Sequence, residues 1–201
     1  MKSLFDFIVE PLKSQYNNEI KVGDKSLVTN ADLENFRAVS NMAKVISTPL
    51  AYKTNISKGD TVIIHHNVFR TFRDIRGKQK TSRSKFTENL YFVAMDQVYM
   101  YKNKEKWNTI NNRCFVKPLL SDNDLTLNKE RELIGILKYG NSSLEALKIT
   151  PGDMIGYTPD GEYEFFIDGE RLYCMKSNDI VIKYEHQGDE VEYNPSWAKS
   201  S

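Results

Sequence analysis

The sequence predicts a mostly β chain built from two tandem copies of one small, irregular, barrel-like unit. Three observations carry that prediction. Turn residues recur between short runs rich in Val, Ile, Tyr and Phe; polar and apolar residues alternate within those runs; and three short blocks return in the same order along the chain.

The clearest run is Ile149 to Glu185. Pro151-Gly152-Asp153 and Thr158-Pro159-Asp160-Gly161 are turns, and Asp168-Gly169 is a hairpin signal between strand-like segments. Glu162-Tyr163-Glu164-Phe165 alternates as a strand with one wet face does. Short strands at this spacing suit a small barrel or sandwich.

The blocks repeat at graded offsets. Phe7-Ile8-Val9-Glu10-Pro11-Leu12 matches Cys114-Phe115-Val116-Lys117-Pro118-Leu119 at an offset of 107. Ile56 to Val62, with Gly59-Asp60, matches Ile149 to Ile155, with Gly152-Asp153, at 93. Leu90-Tyr91 and Asp96-Gln97-Val98 match Leu172-Tyr173 and Asn178-Asp179-Ile180 at 82. The connections absorb the changes in offset, as loops do more readily than paired strands. The pattern is that of a duplicated β domain whose first copy has longer loops, with domains at 1–104 and 108–188 and a polar tail at 189–201.

In the first copy, Leu4 to Leu12 is expected as a strand that Pro11 closes, and Lys13 to Asn30 as a long polar loop. A short helix can follow over Thr29 to Ala43. Thr29-x-x-Asp32 resembles a capping box, and Leu33, Phe36, Val39 and Ala43 share a helical face. A strand limited by Pro49 comes next, then another over Thr61 to Phe72, then two strands around Met95-Asp96-Gln97. The charged run Lys102 to Lys106 reads as a short linker. In the second copy, strands are expected over Arg113 to Leu120 and Leu133 to Tyr139, with a polar loop from Ser121 and a connection through Leu144 to Lys148. The end of the tail is expected to be mobile.

A chain of 201 residues with 40% hydrophobic and 27% charged residues can bury a sizeable core. No apolar run approaches the ~18 residues of a spanning helix. The N-terminus lacks a signal-peptide core, so a cytosolic location is expected. Cys114 and Cys174 sit singly in strand-like runs and read as buried free thiols. A formal net charge of +1 hides an asymmetry: residues 1–104 hold 17 Lys/Arg against 10 Asp/Glu, and residues 105–201 hold 11 against 17.

Catalytic chemistry is hard to find. His65 and His66 are neighbours on an expected strand and would point to opposite faces. No zinc-protease, Cys-pair, nucleophile-elbow or phosphate-loop motif is present. Asp160, Glu162, Glu164 and Asp168 could in principle hold a hard cation, but their spacing matches no calcium loop and suits a solvated strand edge better. The chain is therefore expected not to be an enzyme, with no cofactor and no metal. Arg70, Arg73, Arg76, Lys78, Lys80, Arg83 and Lys85 face the single acid Asp74, with Phe69, Phe72 and Phe86 interleaved. Such a mixture can neutralise phosphates and stack bases. It equally suits a solvated hairpin or a contact with the acidic half of a neighbouring copy.

The second copy resembles a GroES-type co-chaperonin subunit through nearly its whole length. The similar features are Phe115-Val116-Lys117-Pro118-Leu119, a polar loop with a small apolar cluster, Ile134-Gly135-Ile136-Leu137 before Tyr139-Gly140, the turn Ile149 to Asp153, and Ile167 to Tyr173 followed by Asn178-Asp179-Ile180. The first copy is fainter, through Val9-Glu10-Pro11-Leu12, Lys58-Gly59-Asp60 and Asp96-Gln97-Val98. The resemblance implies two tandem GroES-like irregular β barrels and a homo-oligomeric ring that caps an ATP-bound GroEL-type chaperonin around a folding client. It implies docking through a mobile apolar loop after each copy's first strand. Carried onto this chain, the docking residues would be Leu125, Thr126 and Leu127 in the second copy and Leu27 and Val28, or else Ile20 and Val22, in the first. Neither loop has the family's Gly-Gly before its apolar residues. Virally encoded co-chaperonins diverge in these same loops, so a viral chain acting in host cytoplasm is the expected source. The alternative function is a structural or nucleic-acid-binding β protein that uses residues 70–85.

Overall fold

The computed structural model describes residues 2–12, 15, 19–22, 25–28, 39–121 and 130–185. The chain is mostly β and divides into two compact units, Met1–Asn108 and Thr109–Ser201. Each unit is built on one six-stranded antiparallel sheet, and neither sheet closes on itself among the described residues.

The first unit contains β1 (Phe7–Pro11), β2 (Glu19–Val22), β3 (Lys25–Val28), β4 (Met42–Ser47), β5 (Thr61–Ile64), β6 (Thr71–Arg73), β7 (Gln79–Thr81), β8 (Tyr91–Val93), β9 (Val98–Asn103) and β10 (Lys106–Thr109). Its sheet runs β10-β9-β5-β4-β1-β8, while β2-β3 and β6-β7 are separate two-stranded ribbons. The second unit contains β11 (Arg113–Leu120), β12 (Glu130–Tyr139), the short helix α1 (Ser142–Ala146), β13 (Met154–Tyr157), β14 (Tyr163–Ile167), β15 (Glu170–Lys176) and β16 (Ile180–Lys183). Its sheet runs β14-β15-β11-β12-β13-β16.

Five strands occupy the same places in both sheets, since β8-β1-β4-β5-β9 in one corresponds to β15-β11-β12-β13-β16 in the other. The correspondence extends to single residues. Val9 pairs with Val45 and Tyr91, and Val116 pairs with Leu137 and Tyr173. Val62 pairs with Ala43 and Tyr101, and Ile155 pairs with Gly135 and Lys183. These pairings reproduce the offsets of 107, 93 and 82 seen in the sequence. The register irregularities coincide too: Ile8/Val9 with Phe115/Val116, and Ile63/Ile64 with Gly156/Tyr157. Such irregularities bend strands and sharpen their twist, so both units curl at the same points.

The Gly-Asp turns are matched atom for atom. Gly59 and Gly152 take φ of 96° and 99°, a region that L side chains avoid. Each donates its N–H at 2.8 Å, to the carbonyls of Val45 and Leu137 respectively. The following carboxylates accept the N–H of Ser57 and Thr150, at 2.8 and 2.7 Å.

Central strands are buried on both faces. Val62, Ile63 and Ile64 are consecutive and buried, as are Cys114, Phe115 and Val116. In the first unit Phe69 meets Tyr91 edge-on at 4.7 Å. In the second, Cys114, Val116, Leu137, Leu144, Ile155 and Met175 form one core cluster. Cys114 and Cys174 are free thiols within the fold, and burial pushes both up to about 12, which leaves them protonated and unreactive.

Several expectations need correction. The polar stretch Lys13 to Asn30 holds the β2–β3 hairpin, whose Gly23-Asp24 turn signal lies between its strands. Of the helix expected over Thr29 to Ala43, residues 29–38 lie outside the described ones. The remainder is not helical, because Met42 and Ala43 pair with Ile63 and Val62 in β4. The strand expected over Thr61 to Phe72 breaks after Ile64, where a 3-10 turn, His66–Val68, begins. The run Lys102 to Lys106 is a hairpin with Lys104 and Glu105 at φ 47° and 65°, a left-handed pair that twists with its strands and replaces the expected linker. The connection through Leu144 carries α1, capped by Asn141, whose side chain accepts from the N–H of Ser143 and Leu144. The tail from 186 lies outside the described residues.

Candidate functional site

In each unit the connection between the first two core strands leaves the same corner of the sheet. In the second unit it runs from Leu120 to Glu130, and Leu120 and Glu130 are cross-strand partners at its base. Leu125, Thr126 and Leu127 lie outside the described residues. Glu130 accepts from the Arg171 guanidinium through one oxygen and from the Tyr173 hydroxyl, at 2.7 Å, through the other. Arg171 Nε donates to Glu164 at 2.6 Å, and its Nη2 donates to the Tyr173 hydroxyl. The guanidinium also sits 4.8 Å from the centre of the Tyr173 ring. Burial pushes the Tyr173 hydroxyl up, and the Glu130 carboxylate adds to the effect. Two carboxylates, one cation and a phenol thus hold the point where the chain re-enters the sheet.

The same base is irregular. Pro118 pairs with Gly135 and Leu120 with Glu130, so β12 takes five steps where β11 takes two. Within that excess Leu133 adopts φ 56°, costly for a γ-branched side chain. Sequence reasoning did not find this cluster. Its signal was Arg171, placed two residues before a tyrosine on a strand facing an acidic one.

In the first unit the corresponding connection runs from Leu12, whose N–H reaches the Met42 carbonyl at 3.1 Å. The backbone of Leu27 and Val28 lies in β3, paired with Ile20 and Glu19 of β2. These expected docking residues are therefore on a strand, not in an irregular loop. Gln15 ties the start of this connection to another feature. Its side-chain amide donates to the Phe69 carbonyl and to the Thr71 hydroxyl, the latter at 3.2 Å.

Thr71 opens the basic segment, which is an arm. Strands β6 and β7 pair as Thr71–Thr81, Phe72–Lys80 and Arg73–Gln79. Phe72 and Lys80 consequently share one face and Arg73 and Gln79 the other. Asp74 shapes the tip: one carboxylate oxygen accepts the N–H of both Arg76 and Lys78 at 2.9 Å. The only acid of the segment is thereby engaged with its backbone. Phe72, Arg73, Ile75, Arg76, Lys78, Lys80 and Arg83 are exposed, Ile75 completely. Arg70 and Lys85 lie at the root and are partly buried, and Phe86 packs on Phe92 at 4.9 Å between centroids.

His65 and His66 do not project to opposite faces. They leave the strand together and stack at 4.4 Å, with His65 Nδ1 accepting from the N–H of Asn67. Burial, with His65 and Arg70 nearby, brings His66 down to about 4, so it is uncharged at neutral pH. Of the acids around β14, Glu164 serves Arg171, and no cluster of three or more His, Cys, Asp or Glu suited to a metal occurs among the described residues. Among the described residues, no helix is long and apolar enough to cross a membrane.

No protein-family model matches the chain, and no curated protein matches its sequence at a significant level.

Proposed function

We propose that the chain is a non-enzymatic co-chaperonin: a ring-forming cap that docks on an ATP-bound GroEL-type chaperonin, encloses a client chain and leaves when the partner's nucleotide turns over. The observation that carries this reading is the residue-level repeat of strand order, register and turns between the two units. It gives each chain two equivalent corners from which a first connection departs, and a partner with repeated sites is best met by a repeated ligand. The reading further takes each unit as a GroES-like barrel, with both faces of its central strands buried and the sheet bent at matching points.

Weak contacts suit such a cap because it must come off. Each apolar side chain seated in a groove contributes roughly 1.5–3 kcal/mol, and a ring multiplies modest contacts into useful avidity. The contacts assigned here are Leu125, Thr126 and Leu127 in the second unit and Leu27 and Val28 in the first. Replacing Leu125→Asp together with Leu127→Asp should abolish capture of the chain by an ATP-loaded chaperonin ring while its far-ultraviolet spectrum and melting stay those of wild type. Undiminished capture by that double variant would remove the second connection from the docking surface.

A further inference from the structure

The basic arm has no role in the docking proposed above, and the scaffold does not need it. The repeat makes this visible. Val62 and Ile155 hold matching places, and the pairs Lys85–Tyr91 and Glu164–Tyr173 match as well. Lys85 comes 23 residues after Val62, whereas Glu164 comes 9 after Ile155, so the first unit makes the same step with 14 residues more. The second unit makes it through the short turn Thr158-Pro159-Asp160-Gly161, and the first adds the β6–β7 ribbon. Function gathers in such added surface segments, which a rigid scaffold positions. The added segment also holds most of the unit's charge. Residues 70–85 have seven Lys/Arg against Asp74, a net +6, in a unit whose 18 Lys/Arg and 11 Asp/Glu give +7. Residues 109–201 carry 10 and 16, or −6, so a polyanion finds its attraction in the arm.

We propose that the arm is a seat for double-stranded DNA. The ribbon enters the major groove, with Arg76, Lys78, Lys80 and Arg83 on the flanking phosphates and Ile75, at the tip, against base edges. These four cations are exposed, and Asp74, the one acid among them, is engaged by the backbone N–H groups of Arg76 and Lys78. Ile75 is completely exposed, and an apolar tip can meet the thymine methyl groups that this groove presents. Shape decides among the polyanions. Paired strands lie about 4.8 Å apart, and a major groove about 12 Å wide admits a two-stranded ribbon. The major groove of an RNA duplex is too narrow to be read in this way. Single strands are held by stacking on aromatic side chains, and the ribbon offers Phe72 alone, since Phe86 packs on Phe92. An acidic protein surface lacks the dense, regular charge of a duplex, about one per 1.7 Å of axis, which suits cations spread over a tip and two strands. The proposal goes beyond the capping reading and does not rest on it.

The test is fluorescence anisotropy of a labelled, mixed-sequence DNA duplex titrated with the full chain between about 50 and 200 mM salt. Four phosphate contacts predict a slope of log K against log salt of about −3.6, at roughly −0.9 per contact. Lys78→Gln with Lys80→Gln should make the slope shallower by about 2 and weaken binding near about 50 mM salt by roughly 10²-fold. Asp74 holds the tip through backbone N–H groups, so this variant should melt like wild type. Lys53→Gln with Lys58→Gln removes the same charge from exposed positions outside the arm and should leave the slope as it is. Absence of duplex binding near about 50 mM salt overturns the proposal, as does an equal loss from the Lys53 and Lys58 pair. Duplex RNA or a single strand that binds as tightly as duplex DNA overturns the groove seat. Polyglutamate that binds as tightly assigns the arm to an acidic protein surface instead. Chaperonin capture is a separate measurement, and its failure would strike the capping reading alone.

Discussion

Gly135→Val should lower the melting temperature of the second unit by more than about 10 °C, and Gly135→Ala by a smaller but clear margin. Gly135 lies on β12 opposite Pro118, so close to β11 that a Cβ would sit 2.5 Å from both the Lys117 carbonyl oxygen and Val116 Cγ1. The first obstacle is backbone, which cannot swing aside as a side chain can, so the two strands must separate. Overpacking of a tight core costs about 1–3 kcal/mol and more where the backbone must move. About 1 kcal/mol shifts a domain of this size by roughly 4–8 °C. The repeat supplies an internal control. Ala43 occupies the matching place in the first unit, opposite Pro11, and is fully buried there. Ala43→Gly should therefore cost only about 1 kcal/mol, mainly through backbone freedom. Thermal melts followed by hydrogen exchange on each unit would separate the two effects; an unshifted melt for Gly135→Val would show that β11 and β12 are further apart than described.

Arg171→Ala should destabilise the second unit by about 3 kcal/mol, near the lower end of the range for breaking a buried ion pair. The lower end applies because the side chains of Arg171, Glu164 and Glu130 retain 11, 15 and 22% exposure, so water partly compensates the two carboxylates. Arg171→Lys should recover only part of the loss. A single ammonium cannot reach Glu130, Glu164 and the Tyr173 hydroxyl in the fork geometry that the guanidinium uses. Denaturant titration checks both. A loss below about 1 kcal/mol for the alanine variant would reduce the cluster to an ordinary surface pair. Under the proposed function the same variant should also weaken chaperonin capture, since Glu130 is where the second connection re-enters the sheet.

The scaffold was legible where local signals and tertiary demand agree. Asp168-Gly169 does turn a tight hairpin, at φ 51° and 78°, because its residues tolerate the left-handed pair that this turn requires. The graded offsets of the repeat were readable because they lie in paired strands, where a one-residue slip would turn every side chain to the wrong face. Other features had misleading signals. Leu33, Phe36, Val39 and Ala43 keep a helical period, but Ala43 is claimed by two neighbouring strands, and pairing overrides propensity. The Lys104-Glu105 turn lacks the Gly or Asn that usually marks left-handed positions, so only its charges were visible. The arm was read as basic, with a solvated hairpin among its readings, but its strand limits were not legible, because three-residue strands are too short to show alternation. The Arg171 cluster joins residues 41 apart in sequence, and no local pattern reports such a contact. The expected docking residues were named from resemblance. Three of them lie outside the described residues, and the other two have only their backbone described.

The most direct test of the account is native mass measurement of the chain mixed with a GroEL-type chaperonin ring, with and without ATP. The account predicts a closed assembly of several copies that adds to the chaperonin when ATP is bound and separates from it when ATP is withheld. A correctly folded chain that adds to the chaperonin in no nucleotide state would contradict it.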